Sequence, residues 1–280
     1  MQVSSMLVRL RWLLSFFLLV SQGLSGQSIP QRTPFIISEN LIYVPVRING
    51  RGPYYFKLDA SASGTVRIDN RLAKALSLNI VGFQETTEGN ERKRAFLVGV
   101  DKLSLGPITR SNLQVRVGDY NQTAHQRPVE GVIGLDFFTN HRLQLDGPAH
   151  QLTVSPDVLE DKTKSVLSYT KPYLVPGKVG SKDVLFNLDL GSTYTILFPT
   201  AMLTGVHYID TPNGQLTTQT NPSFVLQEAV ISDEIVLGNL HLTNQRIYHS
   251  NKVHQITIGV GFLKEHTIRF DQQRKRITLE

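Results

Sequence analysis

Short segments in which apolar and polar residues alternate occupy most of the chain from residue 31 onward. The clearest are Tyr43–Ile48, Tyr54–Leu58 and Leu113–Val117, which are rich in β-branched and aromatic residues. Gly, Asn or Pro lies between such segments, a pattern typical of β-strands joined by turns. One short helical pattern occurs over Asp69–Leu78, and a weaker one follows at Pro199–Leu203. The sequence therefore predicts a mainly β protein.

Three blocks of this pattern occur twice in the same order, which predicts an internal duplication. The matching blocks are 56–63 with 186–193, 105–115 with 237–247, and 132–154 with 257–279. The last pair matches without a gap at an offset of 125 residues. Chance similarity between β-rich segments is the alternative explanation. We expect two β-rich domains, residues 31–155 and 168–280, with the boundary in the polar segment near 156–168.

The first 26 residues differ in character from the rest of the chain. Arg9 and Arg11 precede an apolar run from Trp12 to Val20, and small polar residues continue to Gly26. This order is typical of a secretory signal peptide, whereas a spanning helix needs about 20 apolar residues. An uncleaved anchor is the alternative. We expect residues 1–26 to be removed and the mature chain to be exported, either periplasmic or secreted, without a stable membrane span.

Composition and charge exclude several other functions. The chain has no cysteine, which excludes a disulfide scaffold, a thiolate metal site and a cysteine nucleophile. Its net charge of +6 comes from scattered basic residues and not from a basic stripe with aromatics, so we expect no nucleic-acid partner. The eight histidines show no pair at metal-ligand spacing on one helix, so we expect no metal. We also expect no organic cofactor.

Each copy of the repeat places one aspartate at the end of an apolar strand, directly before small residues. Asp59 follows Tyr54–Leu58, and Asp189 follows Val184–Leu188. A single aspartate there is usually a turn residue, but a duplicated fold can bring two of them face to face. Neighbouring carboxyl groups share a proton, so one can act as base for a water and the other as acid for a carbonyl oxygen. The pair therefore predicts peptide hydrolysis without a covalent intermediate.

A glycine-containing apolar element follows each acidic motif, at Val132-Ile133-Gly134 and at Ile258-Gly259. With the two acidic motifs, these elements resemble those of the pepsin and retropepsin-like aspartic proteases. The resemblance covers residues 35–280, and residues 130–138 are especially similar to bacterial secreted members. It implies a two-lobe pepsin-like acid protease fold built from two retropepsin-like repeats.

The resemblance also implies which residues form the site. The catalytic pair would be Asp59 and Asp189, and the substrate-binding residues would be Ser61, Ser63, Gly89, Gly191 and Ser192. Gly89 would lie at the tip of a flap hairpin, for which an ordinary surface hairpin is the alternative. The matching region of the second copy, around Asn213-Gly214, would pack away from the cleft. We expect a monomer with pseudo-twofold lobes that acts on a peptide or protein substrate.

The residues after each aspartate depart from the family pattern of Asp-Thr/Ser-Gly. The first copy has Asp59-Ala60-Ser61 and the second has Asp189-Leu190-Gly191. In the family, the Thr or Ser hydroxyl bonds across the interface between the lobes, and neither Ala nor Leu has a side-chain donor or acceptor. The sequence thus predicts an aspartic endopeptidase whose pair is weakened by these motifs. The alternative is an inactive relative that binds extended peptides in the same cleft.

The leader yields a direct test. Mass spectrometry of the protein recovered from its native host should find a mature N-terminus within a few residues of Gln27, because small residues precede that position. Recovery of a cytosolic chain that still begins at Met1 would contradict the export prediction.

Overall fold

The structure is a computed structural model of the chain. It describes residues 31–60, 62, 65–88, 91–122, 126–155, 166–170, 173–218 and 223–280. The predicted leader, Ser61, Ser63 and Gly89 lie outside the described residues. Strands predominate and helices are short, so the mainly β class that the alternating pattern predicts is confirmed. The strands form three sheets.

The first sheet has eight strands, all from residues 36–134. In chain order they are β2 (Ile36–Ser38), β3 (Leu41–Ile48), β4 (Arg51–Asp59), β5 (Val66–Asp69), β6 (Ile80–Glu88), β7 (Glu91–Leu105), β8 (Ile108–Gly118) and β9 (Gly131–Gly134). Strands β6 and β7 form a long antiparallel hairpin, paired from Ile80↔Val98 to Glu88↔Glu91. This hairpin lies where the flap was predicted, and its tip residues Gly89 and Asn90 are not described.

The second sheet has nine strands, all from residues 174–258. They are β13 (Leu174–Val179), β14 (Lys182–Leu188), β15 (Ile196–Pro199), β16 (Tyr208–Thr217), β17 (Val225–Ile231), β18 (Ile235–Leu237), β19 (Leu240–Leu242), β20 (Gln245–Ser250) and β21 (Ile256–Ile258). Strand β14 pairs in parallel with β21, as β4 does with β9 in the first sheet.

The third sheet combines strands from both halves of the chain. Its six strands are β1 (Gln31–Pro34), β10 (Arg142–Asp146), β11 (Gln151–Ser155), β12 (Leu167–Ser168), β22 (Thr267–Asp271) and β23 (Arg276–Leu279). The halves meet where β10 pairs antiparallel with β22, from Arg142↔Asp271 to Asp146↔Thr267. Gln144 Oε1 also accepts a hydrogen bond from Arg269 Nε at 2.9 Å across this pairing.

Two α-helices and two 3₁₀ helices complete the described residues: α1 (Asn70–Ala75), α2 (Val260–Leu263), and the 3₁₀ helices Leu135–Phe138 and Thr200–Leu203. Helix α1 begins where the pattern predicts, because the Asp69 carboxylate caps it by accepting from Arg71 N at 2.9 Å. It ends before the predicted Leu78, since Ser77 has a φ of +55°. Among the described residues, no helix is long and apolar enough to cross a membrane.

One apolar core runs through both large sheets and places the acidic strand ends. The inward-facing residues of β4 and β14, namely Phe56, Leu58, Phe186 and Leu188, all belong to it. Alternate residues of a strand point to opposite faces, so the burial of these side chains fixes the direction of the residues that follow.

Gly147 lies at a close contact between the two halves of the chain. A Cβ atom built on it would be 1.4 Å from the Leu263 carbonyl oxygen and 2.8 Å from that of His266, whose oxygen accepts from Gly147 N. We expect Gly147→Ala to lower the free energy of unfolding by at least about 2 kcal/mol, because backbone must move to admit the methyl group. Urea denaturation followed by tyrosine fluorescence measures the change.

Gly82→Ala is the matched control, since its Cβ would meet only Leu97 Cδ1, at 3.8 Å. It should change the free energy of unfolding by no more than about 0.5 kcal/mol. Equal effects of the two substitutions would contradict the role given to the Gly147 contact.

Candidate active site

The two acidic strand ends have similar backbone settings. Asp59 ends β4 and pairs in parallel with Gly134, the last residue of β9. Asp189 follows β14, and its amide donates to the Ile258 carbonyl of β21 at 2.9 Å. In each case the apolar element that contains a glycine runs beside the aspartate, as the sequence motifs imply. Gly134 is the last residue of β9, and Gly259 directly follows β21.

Gly191 lies against both carboxyl groups. Its amide donates to Asp189 Oδ1 at 2.8 Å. A Cβ atom built on Gly191 would lie 2.8 Å from Asp59 Oδ2 and 2.9 Å from both Cγ and Oδ1 of the same carboxyl group. The loop after one strand therefore touches the carboxyl group of the other, and only a glycine leaves room for that approach.

The residues between each aspartate and its turn are apolar and buried. Ala60 is 4% exposed, Leu190 is 1% exposed, and both belong to the main core. Ser192 N closes the turn after Leu190 by donating to the Asp189 carbonyl at 3.0 Å. Where the family pattern has hydroxyl groups, the two loops of this chain rest on apolar packing.

Lys57 forms an ion pair with Asp59. The Nζ atom is 3.2 Å from Asp59 Oδ2, and the side chains are 20% and 14% exposed, respectively. The two residues are separated by one position on β4, so their side chains lie on the same face of the strand. A largely buried ammonium at this distance favours the ionised form of the carboxyl group beside it.

A cleft of about 910 Å³ lies between the two large sheets. Its wall includes Lys57, Tyr120 and Val132 from the first sheet and its loops. The second half contributes Asp189, Gly191, Ser192, Thr193, Tyr194, Leu216, Leu226 and Tyr248, among others. Asp59 is not part of this wall but contacts Lys57, which is. The volume is that of a ligand pocket, and the mixed apolar and polar lining suits an extended peptide.

Asn40 fixes one side of the cleft by joining the two halves of the chain. Its side-chain amide Nδ2 donates to the Thr193 carbonyl at 2.6 Å. Tyr194, the next residue, packs against Tyr248 with ring centroids 5.6 Å apart. Burial raises the pKa of the Tyr194 phenol, so it stays neutral and can donate a hydrogen bond within the cleft.

A buried carboxylate orients another part of the cleft wall. Asp69 Oδ2 accepts from Tyr120 N at 3.2 Å and from Asn121 Nδ2 at 2.9 Å. Asn121 Oδ1 in turn accepts from Val129 N at 2.8 Å. The capping residue of α1 thus also orients Tyr120 and Val129, which line the cleft. Burial raises the pKa of the Tyr120 phenol, against the opposing effect of Arg67 and Arg116.

Of the site residues that the sequence predicts, Asp189, Gly191 and Ser192 line the cleft, and Asp59 lies against Gly191 without being part of the lining. Ser61, Ser63 and Gly89 are outside the described residues. Within the described part of the chain, no group of three or more His, Cys, Asp or Glu side chains is arranged to hold a metal ion.

One sequence prediction concerns the region around Asn213-Gly214, which was expected to pack away from the cleft. Neither residue is part of the cleft wall. Strand β16 continues past a register shift between Asp210 and Gln215, and Leu216 and Thr217 at its end line the cleft. The sequence analysis did not predict that the end of this strand contributes to the wall.

Sequence reasoning also missed Lys57 as a site residue. Its signal was present, because a lysine two positions before Asp59 in a strand must share its face. The roles of Asn40 and Tyr120 had no such signal, since both depend on contacts between distant segments.

The comparisons with known proteins agree with this geometry in the first half of the chain. Residues 44–137 match a family model described as aspartyl protease. The matched residues run from β3 to the 3₁₀ helix Leu135–Phe138 and include Asp59, whereas Asp189 lies beyond them. A comparison with curated proteins found no match. The match supports a peptidase function in general and implies peptide substrates.

The Asp69 contacts generate a prediction about stability. Asp69→Ala should lower the free energy of unfolding by about 2 kcal/mol, because it removes a helix cap and takes the acceptor away from the part-buried amides of Arg71 and Tyr120. Asp119→Ala is the control: Asp119 is exposed, and we expect a change within about 0.5 kcal/mol. Urea denaturation of both variants checks this, and indistinguishable midpoints would refute the structural role of Asp69.

Proposed function

We propose that the chain is an aspartic endopeptidase in which Asp59 and Asp189 share one proton and activate a water. The observation that carries the proposal is the position of Gly191: its amide donates to the Asp189 carboxyl group, and a Cβ atom built on it would meet the Asp59 carboxyl group. The aspartyl protease match over residues 44–137 supports the same reaction class. The cleft of about 910 Å³, which is lined by Asp189, Gly191 and Ser192, gives the substrate a place to lie.

The reaction needs one ionised and one protonated carboxyl group. The ionised group takes a proton from the water while the water oxygen bonds to the peptide carbonyl carbon. At the same time, the protonated group gives its proton to the carbonyl oxygen. In the second half of the cycle, the first carboxyl group gives its proton to the amide nitrogen as the C–N bond breaks. The second group recovers a proton from the diol, which completes the cycle with the starting protonation.

We further infer that the chain consists of two lobes related by an approximate twofold axis, residues 31–155 and 168–280. The register of β10 and β22 supports this. Leu143 pairs with Phe270. Leu145 pairs with Ile268. Adding the repeat offset of 125 residues to Leu143 gives Ile268, and subtracting it from Phe270 gives Leu145. The offset therefore converts the first pair into the second with the two strands exchanged, as a twofold axis requires.

The proposed setting of this activity is outside the cytoplasm, after loss of residues 1–26. The composition of the leader supports export. Since a single chain supplies both aspartates, the active unit that we propose is a monomer.

A second candidate function is favoured by Ala60 and Leu190. Both are buried and neither carries a hydroxyl group, so the loops lack the hydrogen bonds that the family pattern supplies. A pair held less rigidly loses rate, because acid–base catalysis depends on geometry. The second candidate is therefore a non-catalytic module that binds extended peptides in the same cleft.

Cleavage of a peptide library from acid to neutral pH distinguishes the two candidates. Wild-type protein should cut peptides, and Asp59→Asn and Asp189→Asn should each lower kcat by at least about 1,000-fold, because one carboxyl group cannot serve as both acid and base. Binding of a cleavable peptide should persist in both variants.

Asp183→Asn is the control, since it makes the same substitution at an exposed carboxylate on β14. It should cleave at the wild-type rate. Peptide binding by wild type without cleavage at any pH would favour the binding module. If Asp189→Asn cleaves peptides at the wild-type rate, the shared-proton mechanism is wrong.

A further inference from the structure

We propose that Lys57 is a positioning residue that assigns the two carboxyl groups their roles: it holds Asp59 as the carboxylate, so that Asp189 carries the shared proton. By the same interaction it sets the pH range in which the pair works. This inference rests on the proposed function and concerns the electrostatics of the same site.

The geometry of the ion pair is the first support. Lys57 Nζ lies 3.2 Å from Asp59 Oδ2, and both side chains are largely removed from solvent. A charge pair with this burial interacts more strongly than a surface pair, because less water screens it. Lys57 also forms part of the cleft wall, so its charge acts at the proposed site of reaction.

The second support is the asymmetry between the two copies of the repeat. In the matched blocks 56–63 and 186–193, the position of Lys57 corresponds to Asn187. Asparagine carries no charge, so the side chain two positions before Asp189 exerts no comparable effect. Two titratable groups in environments that push their protonation apart take different roles in acid–base chemistry.

Other charged and titratable groups surround the pair. Asp189, Glu39 and Lys264 lie in the same cleft wall, Tyr43 is the partner of Lys57 on β3, and Glu130 immediately precedes β9. Burial raises the pKa of the Tyr43 phenol, with Glu39 adding to the rise and Arg127 opposing it, so Tyr43 is neutral. Lys57 is thus a cation in direct contact with Asp59, and both acidic and basic side chains lie nearby.

The assignment fixes the direction of each proton in the proposed reaction. Asp59 takes the proton from the attacking water, and Asp189 gives its proton to the carbonyl oxygen. When the C–N bond breaks, Asp59 gives its proton to the amide nitrogen, and Asp189 recovers one from the diol.

The pH dependence follows from the charge of Lys57. A cation favours ionisation, so it lowers both apparent pKa values at which the coupled pair loses its protons. The working form carries one proton and exists between those two values. Removing the cation must therefore move the acid and the alkaline limb of the pH–rate profile to higher pH.

The variants Lys57→Met and Lys57→Arg test this directly. Methionine keeps the unbranched stem without the charge, and arginine keeps the charge. With a peptide that wild type cleaves, Lys57→Met should move both limbs of kcat/KM upward by about 1 pH unit or more. Lys57→Arg should restore the wild-type limbs, and Lys178→Met, which breaks an exposed ion pair with Asp183, should leave them in place.

Limbs that stay in place in Lys57→Met, or that move downward, would overturn the inference. So would a rise in KM with unchanged limbs, because that result assigns Lys57 to substrate binding.

A titration independent of activity separates this inference from the proposed function. In protein labelled with ¹³C at aspartate carboxyl carbons, the Asp59 signal should stay in its ionised position to lower pH in wild type than in Lys57→Met. This difference should appear even if the wild type cleaves no peptide, in which case the proposed function fails and the role of Lys57 stands. Identical Asp59 titrations in the two proteins would refute the inference whatever the activity.

Discussion

The antiparallel pairing of β10 with β22 is the contact on which the cleft depends. It joins strands that lie more than a hundred residues apart in sequence and unites the two halves of the chain in one sheet. Each large sheet then presents its acidic strand end toward the other. The fit is tight elsewhere too, because Gly147 touches the backbone of Leu263 and Gly191 touches the carboxyl group of Asp59. The site is thus a product of how the halves meet.

Much of the fold was predictable because its signals are local. Alternation of apolar and polar residues with period two predicted strands such as β3 and part of β8. The helical pattern that begins at Asp69 predicted the start of α1, and the structure shows that the Asp69 carboxylate caps this helix. The end of that helix was predicted less well, because the left-handed Ser77 has no strong sequence signal.

The site was predictable to the extent that strand ends determine it. Asp59, Asp189 and Gly191 were singled out from repeated motifs, and the structure brings their atoms close together. The cleft wall was not predictable in the same way. The hydrogen bond from Asn40 to Thr193 spans the two halves of the chain, and Leu216 at the end of β16 lines the cavity. Such features depend on tertiary contacts that no local pattern encodes.

The burial of Ala60 and Leu190 in the apolar core affects how the site responds to temperature. Hydrogen bonds across an interface are directional, and their strength changes little on mild cooling. Apolar burial is different, because its driving force near room temperature is largely entropic and weakens as the temperature falls. The two acidic loops of this chain rest on such burial. Their support is therefore weaker in the cold than near room temperature, so chilling loosens the loops that carry the two carboxyl groups.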